Sequence, residues 1–145
     1  MWRLLVRFFK INRFERDLFI WTAVSVCYYS MLVAIVPRRY VLKRVGNLSV
    51  ETAEFISEKD LVVVNHVSRA IRRSVRFIPW RVRCFAKAIA AKGILKREGI
   101  SSTLYIGVGK SNEGKLTAHA WLRCGGLIVT GKEELVRFTP VAFFS

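Results

Sequence analysis

The chain has 145 residues, room for one ordinary domain or for one domain with a helical extension. Its 25 Lys and Arg against 10 acids give a formal charge of +15, yet 52% of residues are hydrophobic, which excludes a disordered basic tail. Three cysteines (Cys27, Cys84 and Cys124), odd in number and without CxxC spacing, argue against a disulfide scaffold and a structural zinc site. What remains is a folded, basic, cytoplasmic domain with affinity for something acidic.

At the N-terminus, Trp2, Leu5, Phe8, Phe9 and Ile11 alternate with Arg and Lys as in an amphipathic basic helix. Leu18 to Val36 is nineteen residues without a charge, about the length that crosses a bilayer core. Thr22, Ser25, Tyr28, Tyr29 and Ser30 sit near its middle, and basic residues flank both ends, so no orientation follows. No small-residue cleavage site marks a signal peptide. Two readings stand: a helix covered by protein, and one that rests on a membrane surface. Pro37 ends it in either case. Residues 41–61 are more polar, suited to a short helix or a connection.

From Leu61 to Phe77, Val63, Val67, Ile71 and Val75 recur at steps of four and predict a helix that ends before Pro79. A second helix is expected from Cys84 to Glu98, rich in alanine, with Gly99 as its C-cap. The period then changes to two. Leu104 to Val108 predicts a strand, residues 110–115 a turn, and Leu116 to Arg123 a second strand with Thr117, His119, Trp121 and Arg123 on one face. Gly125-Gly126 predicts a hairpin into Leu127 to Thr130, and Val136 to Phe138 a last short strand before Pro140. Helices followed by an antiparallel meander define an α+β fold. Residues 1–60 read as an apolar, basic helical region and 61–145 as the domain that carries the chemistry.

Charge is unevenly spread. Ten basic residues and no acid lie between Arg69 and Arg97. A run without counter-charge is either a solvated face or a surface for an anionic partner. Few aromatics interleave with it, which argues against nucleic acid.

Two residues carry candidate chemistry. Cys84 is expected at a helix start, where free N–H groups, the helix dipole and nearby Arg81 and Arg83 favour a thiolate. His119 lies mid-strand beside Trp121. A cysteine on a helix start with a histidine on a later strand is the order of papain-like and transglutaminase-like cysteine enzymes. His66, Cys27 and Cys124 have no such setting and read as structural.

Cys84-Phe-Ala-Lys-Ala-Ile-Ala-Ala-Lys-Gly-Ile-Leu-Lys-Arg-Glu-Gly-Ile100, then Leu104-Tyr-Ile-Gly-Val108, Ala118-His-Ala-Trp121 and the closing Arg137-Phe-Thr-Pro140 follow one another. In that order they resemble the transglutaminase-like leader peptidases, the B proteins of lasso-peptide biosynthesis, over residues 61–145. The resemblance implies a helical N-terminal region before a core of helices on an antiparallel sheet. It also implies a cysteine endopeptidase, without cofactor or metal, that removes the leader of a ribosomally made precursor peptide. A chain of this length resembles the split type, whose partners are the precursor, a separate leader-recognition protein and an ATP-dependent macrolactam cyclase.

Cys84 is then the nucleophile, His119 the base and acid, and the Cys84 backbone N–H an oxyanion donor, with Trp80 a candidate for the second. The family usually places an acid about a dozen positions after the histidine; here that strand ends in Thr130-Gly131. Three possibilities follow: Glu133 folds back as the third member, a backbone carbonyl serves, or the enzyme works as a Cys-His dyad. The competing readings are a transglutaminase-fold acyltransferase and a non-enzymatic basic adaptor on membrane or nucleic acid.

Overall fold

Local capping signals set the helix ends of the computed structural model, which describes residues 12–145. Helix α1 spans Arg13–Ile35 and stops at Pro37; α2 is the short turn Arg38–Leu42. The amphipathic helix expected over residues 2–11 lies outside the described residues. Helix α3 spans Glu58–Val75, three residues earlier than its apolar period alone predicts. The Ser57 side chain accepts a hydrogen bond from the Asp60 N–H, and Glu58 and Asp60 complement the positive end of the helix dipole. Helix α4 spans Cys84–Arg97. Gly99, at φ +74°, lets the Gly99 and Ile100 N–H groups turn back onto the Lys96 and Leu95 carbonyls, the Schellman arrangement.

Four strands follow: β1 (Thr103–Lys110), β2 (Leu116–Cys124), β3 (Leu127–Thr130) and β4 (Thr139–Phe144). They form one antiparallel sheet in the order β3-β2-β1-β4. The expected strand at 136–138 is corrected. Lys132–Arg137 is a 3-10 helix, and the strand begins after it, running through Pro140. It pairs with β1 rather than continuing the meander beyond β3. Proline lacks an N–H but is tolerated because β4 is an edge strand, and the β1–β4 register shifts beside it. The fold is α+β.

The two faces of the sheet differ. Leu104, Ala120, Leu122 and Cys124 join the core built from α1, α3 and α4. Helix α4 is buried along most of its length, and α1 contributes Leu18, Val26 and Val33 to the same core. Thr103, Tyr105, His119, Trp121 and Arg123 occupy the other face, covered by the segment around Glu51-Thr52, the 3-10 helix and Phe143.

Helix α1 is long and apolar enough to cross a membrane. One side of it, however, packs on α3 and α4, with Leu18, Thr22, Val26 and Val33 buried. His66 on α3 ties the two helices together through its Nδ1, 3.1 Å from Glu15.

Candidate active site

Cys84 opens α4. Arg83 at the N-cap offers no side-chain acceptor, so no side chain caps the first-turn N–H groups. The thiol is half-buried at the margin of the core. Lys92 donates to the Ser102 carbonyl at 2.5 Å, and the Cys124 thiol donates to that of Ser101 at 3.3 Å. The first ties the middle of α4, and the second the end of β2, to the segment that leads into β1. Helix α4 packs against β2. On the face of β2 turned to the helices Ala120 is 3% exposed, whereas Ala118 and Leu116 are open to solvent.

His119 is 6% exposed and fixed on all sides. Its ring stacks on Phe138, centroids 4.9 Å apart, and lies 6.1 Å from Trp121, which in turn stacks on Tyr105 at 5.5 Å. Nε2 lies 3.0 Å from the Gly131 carbonyl oxygen. A carbonyl only accepts, so Nε2 carries the proton and Nδ1 is the basic nitrogen of the neutral ring. Nδ1 lies 3.5 Å from a Glu134 carboxylate oxygen.

The carboxylate beside the imidazole belongs to the neighbour of Glu133. Glu133 is exposed on the 3-10 helix, and its neighbour Glu134 reaches the imidazole. A turn of this type directs adjacent side chains to different sides, and sequence alone does not say which one faces in. Gly131 occupies the position twelve residues after the histidine. It has φ +83°, and a Cβ there would lie 2.8 Å from the Trp121 Cβ and 3.0 Å from His119 Nε2. A side chain there would collide with Trp121 and His119 in this conformation, and it is the Gly131 backbone carbonyl that faces the imidazole.

The motif residues of the two central strands also explain each other. Gly107 pairs with His119, and a Cβ on it would meet the Trp121 ring at 2.7 Å. The glycine of the Ile-Gly-Val strand is thus the floor for the tryptophan of the His-Ala-Trp strand.

A polar network missing from the sequence reading extends this layer. The Tyr105 hydroxyl donates to Glu51 at 2.5 Å. Arg123 donates to that hydroxyl and to the carbonyls of Gly125 and Thr52, each at 3.0 Å. Burial, then the bond to Glu51, raises the Tyr105 pKa. Only the alternation of Tyr105 and Arg123 with aliphatic residues hints at it in the sequence.

Cys84 and His119 belong to neighbouring layers, and no hydrogen bond joins them. β3 pairs only with Leu122–Cys124, so the outer edge of β2 at His119 carries no strand. Trp80 is 44% exposed in the bend before α4, and no contact joins it to His119. Arg81 and Arg83 are exposed beside Cys84. Among the described residues, no three His, Cys, Asp or Glu side chains gather as a metal set.

Comparison with curated proteins and with solved structures gave no match. A family model does match: residues 29–142 fit the transglutaminase-like superfamily, a span that includes Cys84, His119, strands β1 to β3 and the first four residues of β4. The chain belongs to the transglutaminase-like superfamily.

Proposed function

We propose that this protein is a cysteine endopeptidase that removes the leader from a ribosomally made precursor peptide of the lasso type. The observation that carries the reading is the state of His119: buried, with Nε2–H committed to the Gly131 carbonyl and Nδ1 left basic, within a family that uses such a histidine with a helix-start cysteine. In the reaction, the imidazole of His119 takes the Cys84 thiol proton, and the sulfur attacks the scissile carbonyl carbon. The carbonyl oxygen takes up negative charge facing the uncapped N–H groups at the start of α4. The tetrahedral adduct collapses as the C–N bond breaks, and the imidazolium gives its proton to the leaving amine. Water, deprotonated by Nδ1, then cleaves the thioester and returns the thiol. Glu134 is a positioning residue, its carboxylate stabilising the imidazolium in both steps.

Precursor, leader-recognition protein and cyclase are the partners this reading requires. The exposed arginines of the 69–83 stretch, which lead to Cys84, suit an acidic leader or recognition protein. Mass spectrometry of the precursor, incubated with the chain and its recognition partner, tests the reading. One cut at the leader–core junction, reduced about a thousandfold or more by Cys84→Ala, is expected. A new amide in place of hydrolysis would assign the same thioester chemistry to an acyltransferase, and cleavage unaffected by Cys84→Ala would end the proposal.

A further inference from the structure

One cavity has no lining residue in common with the surroundings of His119. It has a volume of about 630 Å³ and lies between α1, α2 and the C-terminal half of α4. Four cations line it, Lys43, Arg44, Lys92 and Lys96, and no carboxylate does. Its apolar surface comes from Leu32, Val36, Val41 and Ile89, and Tyr28, Tyr29 and Tyr40 supply amphipathic rings. Lys92 is 8% exposed, and among the described residues the neutral Ser102 carbonyl is its one hydrogen-bond partner. Burial, with Lys96 nearby, lowers its pKa; an anion in the cavity would offset that cost.

A second observation says where the anion comes from. The uncovered side of α1 presents Trp21, Val24, Tyr28, Met31 and Ile35, which recur at helical spacing and are 52–82% exposed. The stripe runs into the cavity at Tyr28 and ends beside the exposed Arg38, Arg39, Lys43 and Arg44. Apolar stripe, tyrosines and adjoining cations form the profile of a helix lying in a membrane interface. A free acidic peptide would need the cations but not the stripe.

We infer that this cavity binds one anionic phospholipid of a membrane surface on which α1 lies, with the headgroup phosphate on Lys43, Arg44 and Lys96 and the start of an acyl chain against Leu32, Val36 and Ile89. The volume falls within the roughly 300–1,000 Å³ of small-molecule sites. The site is independent of cleavage and stands whether or not the peptidase reading holds.

Flotation of the full chain with dioleoyl phosphatidylcholine vesicles, with and without dioleoyl phosphatidylglycerol, tests the inference. Binding should require the anionic lipid and fall about 30-fold in the K43Q/R44Q double variant, both positions being exposed and the fold checked by circular dichroism. A phosphatidylglycerol analogue with a photoactivatable acyl chain should cross-link the unaltered chain at Leu32, Val36, Tyr40 or Ile89. Equal binding to neutral vesicles, cross-links confined to other surfaces, or unchanged binding by the double variant would overturn it. Inorganic phosphate that abolishes vesicle binding would make the site one for free phosphate. Polyglutamate that binds through the same cations and displaces the vesicles would make it an acidic-peptide site.

Discussion

The two faces of β2 carry different information. Ala120, Leu122 and Cys124 pack on the helical layer by shape and apolarity alone, with Leu122 and Cys124 fully buried. One residue over in each case, His119, Trp121 and Arg123 face rings, carbonyls and carboxylates in fixed geometry. The side chains alternate, so one strand serves stability on one side and chemistry on the other. Substitutions on the first face should therefore be read in folding free energy, and those on the second in rate.

Leu122→Ala is the sharpest test of that division. Leu122 is fully buried, and its truncation should cost about 2–5 kcal/mol of unfolding free energy, measured by denaturant titration. Cleavage per folded molecule should change far less. A loss under about 1 kcal/mol would mean that the aliphatic face is loosely packed and the contrast between faces false.

Gly131→Ala strikes the junction of the two faces. The alanine must hold φ +83°, costing about 1–2 kcal/mol, and its Cβ collides with the Trp121 Cβ and the Ala120 carbonyl. Gly114→Ala is the matched control, since φ is +75° there and nothing lies within 4 Å. The excess loss at position 131 measures crowding alone. It should come with a fall in cleavage, because the carbonyl that holds Nε2 moves. Equal losses at both glycines, with cleavage intact, would show that Gly131 does not position His119.

The sequence conveyed one side of this contrast better than the other. Helix α4 was legible to its cap because alanine content, a proline before it and Gly99 after it are local signals. Strands β1, β2 and β3 were legible from alternation and the Gly125-Gly126 turn. The start of α3 was missed because Ser57 acts through one side-chain hydrogen bond rather than through period. The covering of the polar face was missed for a different reason. The 3-10 helix, the Glu51–Tyr105–Arg123 network and the return of the last strand to β1 rest on contacts between residues far apart in the chain. No local pattern encodes them. Of the candidate site, Cys84 and His119 could be named from type and position. The acid beside the imidazole could not, since Glu133 and Glu134 differ only in which one the turn directs inward.

That pair gives a smaller test within the polar face. Glu134→Gln should slow cleavage about fivefold at low ionic strength and less in salt, because the carboxylate is 59% exposed and its attraction for the imidazolium is screened. The salt-dependence profile of the rate should flatten with it, which loss of packing alone would not cause. Glu133→Gln should leave both rate and profile unchanged. The reverse pattern would assign the positioning role to Glu133.

The smallest effect returns to the helical layer, where Lys92 is the exception to an apolar rule. Its pKa lies below the ordinary lysine value of 10.5, chiefly through burial. Between the folded value and 10.5 the unfolded chain therefore binds more protons than the folded one, and stability rises with pH. The cost of the buried charge is fully present below that window and gone above it. Lys92→Met removes the charge while keeping an unbranched side chain in the same space, so the alkaline rise should flatten relative to the unaltered chain in denaturant titrations across the window. An unchanged slope would mean that Lys92 reaches solvent through the cavity and that the helical layer holds no buried charge at all. An anionic lipid bound beside Lys92 should flatten the slope in the unaltered chain as well, by raising the folded value back towards the unfolded one.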